Sequence, residues 1–314
     1  MKPSRLFNLL AAVLMCGVTA AAQAAADKMV VGVIPVPGDA PLQLAISDGT
    51  FRDAGLDVTL KTAQGFGPNL ASVLNGEIQV GFASSVPILV AASRGAPIQV
   101  VAVAEYTAQE AETDPLTLMV RPDSGIDRPA ALAGKTVALV ALGSSDSVAL
   151  KRCIARDGGD ASQVKLMEVG VADLLPSLEA GRVDAVFIAG PGRVRGNRAG
   201  MKEAFAPLSC GMPGLPQGAY FVNKTYVKAN PDVVKRFAQA INKASAAAMA
   251  NPELVRGILP AFMNVPEEIT RDIRLGNWRS DMSREDWSRL AEYVRDAGLL
   301  TRLPDVDELL LSND

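Results

Sequence analysis

Val73-Leu74-Asn75-Gly76-Glu77-Ile78-Gln79-Val80-Gly81-Phe82-Ala83-Ser84-Ser85 recurs, offset by 105 residues, as Leu178-Glu179-Ala180-Gly181-Arg182-Val183-Asp184-Ala185-Val186-Phe187-Ile188-Ala189-Gly190. Gly76 lies over Gly181, Ile78 over Val183 and Phe82 over Phe187. Each copy reads as a helix end, a glycine able to take the left-handed stop conformation, a short apolar strand, and a small-residue loop that opens the next element. At an offset of 106, Val31 falls over Val137, Val58 over Val164 and Leu60 over Leu166, so three strands of one unit have counterparts in another. The chain therefore reads as two similar α/β lobes in series. Twin lobes of this kind turn their strand-end loops toward each other, and such loops are where function sits.

The 314 residues, 49% of them hydrophobic, suffice for two lobes with cores of their own. Residues 1–26 have the layout of a secretory signal peptide: the basic head with Lys2 and Arg5, an apolar run over 6–20, and small residues before a cleavage site. The run is too short to span a bilayer comfortably, and nothing later is long and apolar enough to do so. Without that leader 29 basic residues face 34 acidic ones, and no basic stripe remains to track a phosphate backbone, so nucleic acid is not an expected partner. Export leaves Cys153 and Cys210, a pair that permits one disulfide or stands as two buried thiols. The chain contains no histidine, which removes Ser-His and Cys-His nucleophile pairs, imidazole metal ligands and imidazole general bases together.

In order, apolar runs and turn residues predict strands at 30–35, 56–60, 78–83 and 98–104, the first three each followed by a loop and a helix, hence a mostly parallel sheet covered by helices. The polar stretch 105–114 breaks the pattern and marks a crossing to the second lobe. That lobe repeats the plan with strands at 116–120, 136–140, 164–168 and 183–188. A Gly/Pro-rich tract over 211–218 precedes a return crossing, and helices follow at 232–250, 253–261, 266–274 and 285–297. The expected organisation is a leader at 1–26, lobe one at 27–110, lobe two at 111–218, and a return crossing with C-terminal helices at 219–314, packed mainly on lobe one.

With leader, twin lobes and helical tail in place, the chain resembles the periplasmic substrate-binding proteins of ABC importers, in the group that takes up nitrate, taurine, aliphatic sulfonates and thiamine-pyrimidine precursors. The resemblance rests on Phe51-Arg52-Asp53-Ala54-Gly55-Leu56-Asp57-Val58, Gly76-Glu77-Ile78-Gln79-Val80-Gly81 and Arg94-Gly95-Ala96-Pro97-Ile98-Gln99-Val100-Val101. Further support comes from Arg121-Pro122-Asp123-Ser124-Gly125-Ile126, Leu132-Ala133-Gly134-Lys135-Thr136-Val137 and Ala229-Asn230-Pro231-Asp232-Val233-Val234. It covers nearly all of the mature chain and implies a two-lobed periplasmic-binding-protein fold (type II) and a ligand held between the lobes. It also implies a monomer without cofactor or catalysis, and an inner-membrane permease and ATPase as partners. Many members carry a Glu-Pro-Trp-like turn where this chain has Gly190-Pro191-Gly192, so a stacking aromatic is missing there. The alternatives are a ligand sensor that signals to a membrane receptor and a pyrimidine synthase of the same superfamily; the missing histidine argues against the synthase.

The same cleft is marked by helix N-termini, whose free N–H groups favour an anion or strong acceptor. The loops are 37–40, with Pro37, Gly38 and Asp39; 84–85, with Ser84 and Ser85; 143–146, with Gly143, Ser144, Ser145 and Asp146; and 190–193, with Gly190 and Arg193. The serines read either as ligand contacts or as ordinary N-caps. Arg193 can fork a sulfonate or carboxylate, although Arg193, Arg195 and Arg198 together also read as a solvated helix face. Asp39 and Asp146 suit helix caps that point away; facing the cleft, they would repel a pure anion and attract an amine. Trp278, with Asn277, can fold over the cleft mouth or simply pack. Tyr106 and Tyr220 flank the two crossings. The favoured ligand is a small polar or anionic molecule with one acidic group, and pyrimidines or aromatic carboxylates are the alternative.

Overall fold

The computed structural model describes residues 25–33, 36–62 and 66–312. Apart from Ala25 and Ala26, the leader lies outside them, as do Ile34 and Pro35 at the end of the first expected strand. In chain order the strands are β1 (Asp27–Val33), β2 (Leu56–Thr62), β3 (Val80–Ser84), β4 (Ile98–Tyr106), β5 (Leu116–Val120), β6 (Thr136–Leu139), β7 (Lys165–Glu168), β8 (Ala185–Ala189), β9 (Lys202–Phe205) and β10 (Pro216–Asn223).

They form two five-stranded sheets, ordered β2-β1-β3-β10-β4 and β7-β6-β8-β5-β9. The internal repeat is visible in this order. β1 pairs with β3 through Val31 and Val80, and β6 pairs with β8 through Val137 and Ala185, both in parallel. Gly76 and Gly181 precede the equivalent β3 and β8 and both have positive φ, 80° and 67°, where any side chain would strain the backbone. Each sheet is mixed, because one strand runs against the rest: β10 lies antiparallel between β3 and β4, and β5 antiparallel beside β8. These two strands directly follow the crossings, so the chain enters each sheet from the other lobe. β4 and β10 are buried along nearly all their length, which accounts for their continuous apolar character.

The segment after Met263 makes a third link. The expected helix over 266–274 shrinks to Glu267–Thr270. Arg256 Nη1 donates to the carbonyls of Thr270, Arg271 and Ile273, so those acceptors are satisfied without another helical turn. Ile269 and Ile273 then pack on Val194 of lobe two, and Arg198 pairs with Asp272 at 2.8 Å. Beyond this strap, Asn277 bridges back to Tyr106 at the end of β4, its carbonyl accepting the Tyr106 N–H at 2.8 Å.

Within lobe two, Cys153 on the Ser145–Arg156 helix is bonded to Cys210 on the Pro207–Gly211 helix, with Cα atoms 5.3 Å apart. No helix among the described residues is long and apolar enough to cross a membrane.

Candidate ligand cleft

Parallel strands deliver their C-terminal ends to one edge of each sheet, and the loops there meet between the lobes. β1 leads to Pro37, Gly38 and Asp39, β3 to Ser84 and Ser85, β6 to Gly143 through Asp146, and β8 to Gly190. The two sides touch. Ser84 Oγ lies 2.7 Å from Ser145 Oγ, and the Ser145 hydroxyl reaches the Gln217 carbonyl at 3.5 Å. Gly190, at φ 52°, sits so near Pro37 that an added Cβ would stand 3.3 Å from its Cγ. A glycine in place of the bulkier turn residue therefore lets the two lobes approach closely. Ser84 and Ser145 thus bring the facing loops of the two lobes into contact.

Neither Ser84 nor Ser145 uses its hydroxyl as an N-cap, although Ser84 occupies the cap position of the Ser85–Ser93 helix. Ser144 does turn inward locally, donating to the Ala141 carbonyl at 2.7 Å. Ser85 is fully buried and its Oγ has no partner. Three further buried polar atoms beside the cleft lack partners: Asp39 Oδ2, Gln217 Oε1 and Trp278 Nε1. Buried polar groups are almost always hydrogen-bonded, so a cluster of orphans marks the place where something else supplies the bonds.

The acidic residues are the surprise of the site. Asp39 precedes the Ala40–Ser47 helix but makes no cap bond; it is fully buried and its Oδ1 accepts the Tyr220 hydroxyl at 2.5 Å. Burial pushes the Asp39 carboxyl up to about 8, against the lowering effect of that hydrogen bond. Glu105, at the end of β4, is pushed up to about 8 as well, first by burial and then by the charges of Asp114 and Asp146. Its carboxylate fills the space where Gly38 and Gly276 have no side chains, beside Trp278 Nε1. Asp146 keeps some exposure, yet enough protein surrounds it that burial, with help from Asp114, raises it to about 6. Asp114 itself is answered by the N–H groups of Leu116 and Ser209.

Arg193 is not free to fork an acid. It is 5% exposed and bound to Glu203, with Nη2 2.7 Å from Oε1, and its buried Nε lacks a partner. Arg195 is exposed and Arg198 holds Asp272, so the three arginines divide between an internal ion pair and the surface. Trp278 packs with Ala40, Leu44, Val255 and Leu259 while its ring nitrogen faces the Glu105 region. Tyr106 lies where β4 ends: its hydroxyl donates to the Asp281 carbonyl at 2.6 Å and Arg279 lies over its ring at 4.0 Å.

Glu105, Gln217, Gly276 and the Asp39–Tyr220 bond were not anticipated from sequence. One signal was available for Glu105, a carboxylate ending the apolar run over 98–104. Gln217 and Gly276 carry no such signal, since the return crossing and the tail decide what they face.

The fold and cleft define a two-lobed binding-protein architecture, and the chain belongs to the NMT1/THI5-like family, whose model matches residues 37–254. It is 28% identical over 222 residues to the formylaminopyrimidine-binding protein of Halalkalibacterium halodurans, covering 69% of this chain and 64% of that one. It is 24% identical over 237 residues to the taurine-binding periplasmic protein of Escherichia coli, covering 75% and 69%. Among solved structures it superposes on the periplasmic aliphatic sulphonate binding protein of Escherichia coli with a TM-score of 0.73, at 18% identity, over 90% of this chain and 97% of that one. A desulfurization enzyme, DSZB, shares the fold at a TM-score of 0.67 and 15% identity, over 91% and 97%.

Proposed function

We propose that this protein is the exported solute-binding component of an ABC importer. Its two lobes close over a small polar organic molecule in the periplasm, and the closed form is presented to an inner-membrane permease and its ATPase. The observation that carries the reading is the interlobe contact of Ser84 with Ser145, surrounded by buried polar atoms that have no partners in the protein. Contacts made to both lobes at once stabilise the closed state over the open one, so ligand binding and closure are one equilibrium. The relatives support a small solute: taurine bears an ammonium and a sulfonate, and formylaminopyrimidine an amino-substituted ring. Binding without turnover is favoured over catalysis because the chain lacks histidine and Cys153 and Cys210 are held in a disulfide, leaving the cleft with carboxyls and hydroxyls.

The test is thermal stability of the mature chain, unfolded and refolded to remove carried-over ligand, against taurine, alkanesulfonates, nitrate, aromatic carboxylates and pyrimidines. A ligand present at about a hundred times its Kd adds about 2.7 kcal/mol, a shift of several degrees. That shift should shrink in Ser84→Ala and Ser145→Ala. No shift with any compound, and no small molecule co-purifying with the native protein, would remove the solute-binding reading.

A further inference from the structure

The polar groups around the cleft have a sign as well as a place. Three carboxyls converge there from three parts of the chain: Asp39 after β1, Glu105 at the end of β4, and Asp146 in the first turn of the Ser145–Arg156 helix. None of the three is ion-paired to a lysine or arginine among the described residues. The nearby cations are committed elsewhere: Arg193 to Glu203, Arg274 to Glu203 and the Asp114 carbonyl, Arg279 to Asp281 and Asp286. Independently of the acids, Trp278 Nε1, in a side chain 1% exposed, lies unpartnered beside Glu105.

Resting on the solute-binding reading, we infer that the ligand enters as a protonated nitrogen base. It is an amine, amidine or guanidine whose N–H groups are taken by Asp39 Oδ2 and the Glu105 carboxylate, with Asp146 closing from lobe two. A buried carboxylate without a cation is costly, and a cationic ligand removes that cost at the moment it binds. A bare oxyanion would meet the charge of Asp146 and could bind only while Asp39 and Glu105 kept their protons. Tyr220 keeps one oxygen of Asp39 occupied, so the other is the acceptor on offer.

Burial holds protons on Asp39 and Glu105, both raised to about 8, in the ligand-free protein near neutral pH, whereas Asp146, raised to about 6, is largely ionised there. The other titratable groups facing them are Tyr220 on β10, with Asp114 ahead of β5, whose carbonyl is bound by Arg274 from the tail. Cation binding therefore expels protons, and affinity rises with pH across the interval in which Asp39 and Glu105 titrate.

The experiment uses the refolded mature chain with acetamidinium, guanidinium, benzamidinium and 1,4-diaminobutane, compared with nitrate and 1-butanesulfonate. Thermal shifts and calorimetry are recorded at about pH 6 and about pH 8. Taurine carries both charges and does not discriminate. At least one base should bind, release protons in buffers of different ionisation enthalpy, and bind about tenfold or more tightly at the higher pH. Glu105→Gln should weaken it about tenfold or more. Should that variant fail to fold, Asp146→Asn replaces it, since that carboxyl is partly exposed and makes no hydrogen bond. Binding of nitrate or butanesulfonate with no response to any base overturns the inference and leaves the solute-binding reading standing. Silence from every base overturns it too, and silence from the wider panel of solutes as well, with no small molecule co-purifying, takes both readings down.

Discussion

The two lobes share one plan and treat charge in opposite ways. Lobe two neutralises its charge internally: Arg193 is enclosed by Glu203, with Asn197 on the same carboxylate and Arg274 at 3.7 Å, and a disulfide ties the helix behind the cleft loop to its neighbour. Lobe one brings Asp39 and Glu105 to the same cleft with one hydroxyl and no cation. The two aspartates hold corresponding places after β1 and β6, but Asp39 is fully buried and rises to about 8 whereas Asp146 stays partly exposed and rises to about 6. Equivalent backbone positions therefore acquire different chemistry from what packs around them. Two of the three carboxyls come from Asp39 and from Glu105 at the end of β4, while lobe two carries the disulfide behind its facing loop.

The largest test of this contrast is the disulfide. It closes a loop across 57 residues, and chain-entropy reasoning assigns such a link roughly 4 kcal/mol. A Cys153→Ser/Cys210→Ser variant should lose about that much in denaturant titration, with hydrogen exchange rising in lobe two before lobe one. Uniform loss of protection across both lobes would show that they unfold as one unit. Next in size, Glu203→Ala leaves the Arg193 guanidinium buried and unpaired, at a cost of about 3 kcal/mol. An unchanged midpoint would mean that the lobe-two charge is relieved by water instead.

The carboxyls sharpen the comparison through pH. Because the folded state of the ligand-free protein raises Asp39 and Glu105, it binds protons that the unfolded chain has released, so stability falls as pH climbs from about 4 to about 8. Asp39→Asn and Glu105→Gln should each flatten that fall by up to about 1.4 kcal/mol per pH unit. Asp146→Asn should flatten it only below about pH 6. Thermal midpoints measured through this range decide the matter, and identical profiles for Asp39→Asn and Asp146→Asn would erase the distinction between the lobes. The smallest effect belongs to the interlobe serines. Ser84→Ala removes one hydroxyl contact, about 1 kcal/mol, and should lower the closed population severalfold in small-angle scattering or interlobe fluorescence transfer.

Much of this molecule was legible before its structure. Gly76 and Gly181 announce the repeat because a left-handed stop admits few other residues, and the apolar runs announce strands because burial on both faces demands them. Ser84 and Ser145 were legible as cleft loops from their place after strands, though their contact with each other was not. Arg193 illustrates the limit. Its position after β8 suggested a ligand clamp, and Glu203, ten residues on and paired through the packing of β9, takes that role away.

The sequence by itself determined the two lobes, the run of strands repeated in each, and the loops that follow them, because hydrophobic period and glycine stops act over a few residues. Only the tertiary structure decided that Asp39, Glu105 and Asp146 share a cleft while the neighbouring arginines are occupied. That outcome depends on burial and on partners up to 181 residues away, as with Asp39 and Tyr220, and neither leaves a local pattern in the chain.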